Sequence, residues 1–519
     1  MTLLLGLDVG STNVKAVIHK PDGKVVARAT AATITHYPRP GWSFQRVDEL
    51  WGQIVRVLRA ALEQLPDSKQ VVSLAVASVA EAGVPIDRTG RPLADIIAWF
   101  DTRPIAEMEW LATTIGADTL FVRTGLSLQP IFGLCKMLWL RKHEPDAWSR
   151  TTRWLNISDY VAYRLCGVPA TGVSLASRTM ALDLQRRCWD DDILRAVGMP
   201  VELFAPIAEA GTALGRVTAE ATAETTVPTG ATVAVGGHDH LCGALAAGVT
   251  EPGTMLESLG TTDTLLAPTL QPTADPELGR QGFSQGAHVM PDRYYIFGGQ
   301  YTLGASIEWF RETIGAGQSH AALIAAAEEV PIGSYGVCFL PHLRLASPPN
   351  VDPASRGAFL GLASGVTRPT LYRAVIEGLG FESRGVLEAL RSFPEAANLK
   401  DARSIGGVTR NRLLMQLRTT IRNQATTVLE IEEATALGAA VLGGLGAGVY
   451  PDLPSAIAAL KYQRGVIEPV AADVDQYDRI YDTVYRHIYA TVAPLSHKLV
   501  ALSDTTAANA QSAAPESSE

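Results

Sequence analysis

The apolar positions of this chain open two series in the same way. Residues 3–7 form an almost unbroken apolar run. A polar turn carrying Asp8, Gly10, Ser11 and Thr12 follows, and then a second apolar stretch that starts at Lys15. Short apolar runs bounded by glycine and small polar residues predict strand, tight turn, strand. Pro21-Asp22-Gly23-Lys24 supplies the next turn. Helical spacing over 47–64, with Asp48 and Glu49 in its opening turn, predicts an amphipathic helix. The β-branched run 71–79 predicts a buried strand. Residues 253–266 (GTMLESLGTTDTLL) then repeat the opening pattern of strand, turn and strand. A strand at 294–298 and helices at 304–314, 368–390, 410–422 and 433–443 follow. Each half thus begins with a β-turn-β unit and continues with mixed elements. The pattern predicts an α/β protein of two domains, 1–248 and 249–500, with a cleft between them. Residues 501–519 are small, polar and low in complexity, which predicts a disordered tail.

Polar residues at the ends of these runs carry the candidate chemistry. With no side chain at Gly10, backbone N–H groups can approach phosphate oxygens, and Lys15 adds positive charge. Asp8 is the one acidic residue of that loop and suits a hydrated Mg²⁺. A strand over 232–236 ends on Gly236-Gly237 and leads to Asp239, flanked by His238 and His240. A lone carboxylate at a strand-to-helix junction is placed to take a proton from a hydroxyl. Phosphate cradle and carboxylate base together point to a kinase. Plainer readings exist: D-x-G turns commonly join hairpins, and Asp239 also fits a helix cap. Glu81, after the 71–79 strand, either faces the cleft at a strand end or lies at the surface. His238 and His240 either touch substrate or fix Asp239. Asp101 and Arg103 form either a clamp on hydroxyls or an ion pair within their loop. Glycines at 236, 237, 243 and 248 predict backbone freedom where the chain crosses between domains.

Composition narrows the class. At 519 residues, with 47% hydrophobic and 19% charged, the chain is globular and exceeds one ordinary core. A net charge of −9 with scattered Lys and Arg argues against nucleic acid or an anionic membrane as partner. No apolar run reaches the ~18–20 residues of a membrane span. Five dispersed cysteines without C-x-x-C spacing suit a reduced, cytoplasmic setting, and no signal peptide is visible. Cys242, three residues past Asp239, reads as a small packing residue rather than a catalytic thiol.

Several segments, in this order, resemble the FGGY family of carbohydrate kinases. They include 8–12 (DVGST), 99–103 (WFDTR), 236–240 (GGHDH), 259–263 (LGTTD), 304–309 (GASIEW), 406–411 (GGVTRN) and 432–440 (EEATALGAA). The resemblance runs from about residue 3 to about residue 495. It implies two actin-like (ribonuclease H-like) domains that close on MgATP and a sugar or polyol. By resemblance Asp239 is the base and Asp8 positions Mg²⁺, while Gly10, Ser11, Thr12, Asn13, Lys15, Gly260 and Thr261 surround the phosphates. Gly304, Glu308, Gly406, Gly407 and Asn411 would line the nucleotide pocket. Glu81, Asp101, His238, Asp239 and His240 would meet the acceptor. Departures concentrate on the acceptor side. Xylulose kinases usually carry Gln-Met-His-Gly at the positions of Val79-Ala80-Glu81-Ala82 and Asn at His240, and glycerol kinases usually carry Arg at Ala80. A histidine before the base, as at His238, looks more like deoxysugar kinases. The reading is an ATP-dependent sugar kinase with a deoxyketose such as L-fuculose as first acceptor. Xylulose or a tetritol such as erythritol are the alternatives, and a nonenzymatic actin-like nucleotide switch is the rival of another class. The assembly is open, with a homodimer among those expected.

Overall fold

Alternation along the first strand assigns its side chains to two different cores. In Leu3–Val9 (β1), Leu3, Leu5, Leu7 and Val9 enter the core of the first half, while Leu4 points into a core shared with the second half. The computed structural model describes residues 2–512. β1 pairs antiparallel with Asn13–His19 (β2), which pairs antiparallel with Val25–Ala32 (β3). On its other side β1 runs parallel to Val71–Ser78 (β4). Ala213–Arg216 (β5) and Thr232–His238 (β6) complete a six-stranded sheet in the order β5-β6-β4-β1-β2-β3.

The second half forms a seven-stranded sheet. Its strands are Thr254–Leu259 (β7), Asp263–Thr269 (β8), Ser284–Ala287 (β9), Tyr294–Gln300 (β10), Asp401–Ile405 (β11), Thr426–Glu430 (β12) and Gln463–Ile467 (β13). Their order is β9-β10-β8-β7-β11-β12-β13. The central five, β10-β8-β7-β11-β12, repeat the directions of β3-β2-β1-β4-β6: two antiparallel pairings, then two parallel ones. The two halves therefore share one topology, the duplicated actin-like architecture.

Helices sit where the apolar spacing puts them, with small shifts at the ends. Val47–Leu62 (α1), Gly304–Thr313 (α3) and Arg412–Ile421 (α4) match within two residues at each end. Asp239–Ala246 (α2) starts directly after the last residue of β6, and Ala434–Gly446 (α5) follows β12, the equivalent strand. α5 is apolar nearly all round, as a fully enclosed helix must be. It lies against α2 and the first sheet with almost nothing between. A Cβ at Gly438 would stand 1.9 Å from the Cys242 carbonyl oxygen, and one at Gly6 would stand 1.8 Å from that of Ala436. Cys242 is buried here and burial pushes its thiol well up, so it packs and does not react.

Two expectations change. Gly236 lies in β6 where its register against β4 shifts between Ala234 and Gly237; a Cβ there would stand 1.8 Å from the Val76 carbonyl oxygen, and one at Gly237 would stand 2.6 Å from a Val289 methyl. These glycines allow close packing rather than backbone freedom; of the four, Gly248 alone has positive φ. The tail expected to be disordered over 501–519 is helical as far as Ser512, as the end of the Arg486–Ser512 helix. An alanine-bearing segment extends an already nucleated helix at little cost. Residues 513–519 lie outside the described residues.

Gly438→Ala should lower stability by about 1–3 kcal/mol, the usual cost of forcing volume into a packed core. Gly52→Ala, in the middle of α1 with nothing within 4 Å of the added methyl, should raise it by about 0.5–1 kcal/mol. Urea unfolding of both variants beside the parent checks the pair; equal shifts would refute the packing argument.

Candidate active site

The first β-turn-β loop is held tightly by its own backbone. Gly10 N–H donates to the Asn13 carbonyl at 3.0 Å, Thr33 Oγ1 donates to the Gly10 carbonyl at 2.8 Å, and Thr33 N–H donates to the Thr12 carbonyl at 2.9 Å. Trp99 Nε1 donates to Ser11 Oγ at 2.7 Å, so the loop is bridged to the 99–103 segment. Asp8 and Lys15 are register partners across β1 and β2. Lys15, expected on the phosphates, is held by Glu433 at 2.5 Å, from the residue just before α5. Burial, and after it the charge of Asp239, raise the Asp8 carboxyl to about 7 against the pull of Lys15. Asp8, Asp239 and Glu433 thus bring three carboxylates into one field with a single lysine.

Asp239 opens α2. Its Oδ1 accepts the His240 backbone N–H at 2.6 Å and stands 3.1 Å from His238 Nε2 and 3.9 Å from His240 Nε2. Burial alone would raise this carboxyl, but His240 and His238 outweigh it and bring it down to about 2. The same burial lowers His240, with Asp239 opposing. These three donor groups lie within 4.8 Å of one another. His238 is buried and its Nδ1 has no partner among the described residues.

Beside them, Glu81 is buried and its Oε1 is gripped by Arg178, at 2.7 Å from Nε and 2.6 Å from a terminal nitrogen. Burial opposes ionisation of Glu81, yet Arg178 and His238 hold it below its usual range. Lys136 is fully enclosed, which lowers it to about 7, and its Nζ donates to the Glu81 carbonyl at 2.6 Å. Phe297, from β10, completes this side with its ring 5.3 Å from that of His240.

Asp101 does not join this group. It is fully buried, with Ser43 N–H donating to one oxygen at 2.5 Å and Arg103 bonded to both, so the ion-pair reading replaces the clamp on substrate. Arg103 in turn covers the Trp42 ring at 4.1 Å. A cavity of about 840 Å³ opens beside Trp42 and Arg103, and it is lined by none of the residues around Asp239.

The second β-turn-β loop organises another cavity, of about 710 Å³. Gly260 and Thr261 carbonyls accept N–H groups of Gly304 and of Leu303 and Ala305, which docks the loop on the start of α3. Gly260, Thr261, Gly304, Glu308, Gly407 and Asn411 all line this cavity, and Trp309, Ile324 and Val408 give it apolar walls. Gly304 must be glycine, since a Cβ would stand 2.6 Å from the Gly260 carbonyl oxygen. Gly406 has φ +104 and packs toward the Leu259 backbone, leaving Gly407 as the residue at the opening. Asn411 caps α4, its Oδ1 accepting the Leu414 N–H at 3.1 Å. Glu308 bonds Arg311 and stands 3.4 Å from His320 Nε2.

Residues 3–246 match the N-terminal domain of the FGGY family of carbohydrate kinases, and residues 255–447 match its C-terminal domain. The chain belongs to the FGGY family. A xylulose kinase of Bacillus subtilis (strain 168) is 28% identical, with 96% of this chain and 99% of that protein covered. A glycerol kinase of Dechloromonas aromatica (strain RCB) is 31% identical over 86% of this chain and 90% of the relative. The crystal structure of a xylulose kinase from Rhodospirillum rubrum superposes with a TM-score of 0.87 at 27% identity, covering 95% of this chain and all of that one. This FGGY protein is accordingly an ATP-dependent sugar kinase. No helix among its described residues is long and apolar enough to cross a membrane.

Sequence reasoning missed Arg178, Phe297 and the apolar walls of the 710 Å³ cavity. Arg178 had a usable signal: one cation inside the small and apolar stretch 173–184 (VSLASRTMALDL) has to be buried and therefore paired. Arg178→Ala should leave the Glu81 carboxylate buried and unpaired, at a cost of about 3–5 kcal/mol. Urea unfolding measures it, and a loss below about 1 kcal/mol would mean that water reaches Glu81 freely.

Proposed function

We propose that this FGGY kinase transfers the γ-phosphoryl group of ATP to a hydroxyl of a ketopentose such as xylulose, with Asp239 as the base. The observation that carries the chemistry is the asymmetry of the Asp239 carboxylate. Oδ1 is engaged by His240 N–H and His238, while Oδ2 has no protein partner among the described residues and is left for the acceptor hydroxyl. A carboxyl at about 2 is ionised at every physiological pH but weakly basic. Such a group orients the hydroxyl and takes its proton late, as the new O–P bond forms, which suits a loose transition state.

The nucleotide would lie in the 710 Å³ cavity with its base against Trp309, Ile324 and Val408 and its phosphates toward the Gly260-Thr261 and Gly10–Asn13 loops. Asp8 would hold Mg²⁺. Burial first, and then an excess of carboxylates over lysine, raise Asp8 to about 7, and such an undercompensated carboxylate fits a hard divalent cation. When bound, the ion neutralises charge on the transferring phosphoryl group. Lys15 would turn from Glu433 to the phosphates. We take 1–248 and 249–500 as the two domains.

For the acceptor, near full-length similarity to proteins named xylulose kinase supports a ketopentose over the deoxyketose first expected. That expectation rested on His238, whose Nε2 is turned to Asp239. Glycerol kinases are also relatives, but Ala80 lacks the arginine usual in them.

Asp239→Asn should cut turnover by roughly 10²–10⁴-fold while leaving nucleotide affinity nearly unchanged. Coupled assay and nucleotide titration test both halves of that statement; turnover within about threefold of the parent would remove Asp239 from the mechanism. Asp8→Ala should raise the Mg²⁺ concentration needed for half-maximal rate, and a titration superimposable on the parent would count against the metal role. A panel of ketopentoses, deoxyketoses, tetritols and glycerol decides the acceptor: the ketopentose reading requires the highest kcat/KM there.

A further inference from the structure

The acceptor side of the cleft has a polar edge and one apolar face, and the apolar face comes from the other half of the chain. Phe297 lies on β10 between Ile296 and Gly298, and while Tyr295 and Ile296 are buried, Phe297 is only partly so. Its ring centre is 5.3 Å from that of His240 and 6.4 Å from that of His238, the two residues on either side of Asp239. On another side the Arg178 guanidinium is 5.7 Å from the same ring and 5.1 Å from Phe132. Arg178 also donates to Ser284 Oγ at 3.1 Å, and Ser284 is the residue directly opposite Phe297 in the β9–β10 pairing. One guanidinium therefore fixes the Glu81 carboxylate and the position of the Phe297 ring relative to each other.

We propose that Phe297 determines acceptor specificity by packing against the C–H face of the sugar while its hydroxyl edge meets Glu81 and Asp239. This inference rests on the sugar-kinase reading of the same site. A partly buried benzyl group beside His, Glu, Arg and Asp side chains leaves some apolar surface in water that an extended carbon chain can cover. Covering one further CH group with its hydrogen contributes roughly the ~0.8 kcal/mol of a buried methylene. A ketopentose offers one more such group to the ring than glycerol does, because its carbonyl carbon carries no hydrogen, and a pentitol offers two. One group corresponds to roughly a fourfold preference in kcat/KM and two to roughly tenfold, since 1.4 kcal/mol is tenfold. Arg178 is a positioning residue in this arrangement, because it reaches the acceptor only through Glu81 and the ring.

The test compares five-carbon and three-carbon acceptors on Phe297→Leu, Phe297→Ala and Phe297→Tyr, with nucleotide affinity and thermal unfolding measured on each. Phe297→Leu keeps the packing against the sheet while removing the flat face, so it guards against a variant that merely fails to fold. The expected result is a loss of about fourfold in kcat/KM for the ketopentose, carried mainly by KM, with little change for glycerol and with recovery in Phe297→Tyr. Equal losses on long and short acceptors, or no recovery with tyrosine, would overturn the role of Phe297. A parent enzyme that prefers no ketopentose would instead sink the acceptor assignment above. The chain-length comparison is then made between pentitols and glycerol, and it still supports or overturns the Phe297 role.

Discussion

The enzyme depends on a helix lying bare against a sheet that belongs to the other half of the chain. α5 (Ala434–Gly446) touches β1 through Gly6 and α2 through Gly438 at distances that exclude even a methyl group, and it meets β4 through Gly443, where an added Cβ would stand 3.0 Å from the Leu74 carbonyl carbon. Close packing of this kind fixes geometry because a dense interior has no slack to absorb a shift. It sets where Glu433, one residue before the helix, meets Lys15, and where the end of β6 delivers Asp239 relative to Asp8. Two phosphate-type loops from two sheets can face one nucleotide only if the sheets are held in register, and these glycines hold them.

The electrostatics follow from that enforced proximity. Asp8 and Asp239 sit close enough that the second raises the first, and burial removes the water that would screen them. The protein treats the two carboxylates differently. Asp239 is surrounded by imidazoles and a backbone N–H that hold it ionised, and Asp8 is left poorly compensated. An environment that separates two like groups in this way fits the separate work proposed for them, one toward a proton and one toward a cation. Elsewhere the second half buries an ionic network that ties α4 to β7 and β8, with Arg418 bonded to both Glu257 and Asp263 and Arg422 bonded to Glu257. Its pairing is incomplete: Asp263 Oδ1, Arg418 Nε and Arg422 Nε are buried without a hydrogen-bond partner among the described residues.

What the sequence displayed was whatever has a period or a turn. The β-turn-β repeat, the helices at 47–62 and 304–313, and the junction at Asp239 all announce themselves through apolar spacing or glycine. Short elements did not: the strands His36–Arg39 and Trp42–Gln45 and the helices Ala117–Thr124 and Asp191–Val197 are too brief for periodicity to register. Asp101 misled because a buried structural ion pair and a substrate clamp use the same residue types, and only burial separates them. The tail misled because small polar residues with alanine satisfy both a low-complexity reading and the extension of a helix already under way.

The acceptor pocket was the least legible part, for a reason that applies to its chemistry as well. Asp239 and its two histidines are consecutive, so a sequence displays them together. Glu81, Arg178, Ser284 and Phe297 lie far apart in the chain and meet only because the two halves are docked. The segment that holds Arg178 reaches across to the second sheet, with Ser177 Oγ accepting the Ala287 N–H at 3.2 Å. In the proposed reading, selecting an acceptor draws on contacts between halves, whereas activating its hydroxyl draws on one short segment of the first half. On that reading the acceptor can change while the phosphoryl chemistry stays, because the hydrogen-bond partners of Asp239, His238 and His240, do not come from β10. The same separation explains why motifs identified the reaction from sequence and left the sugar open.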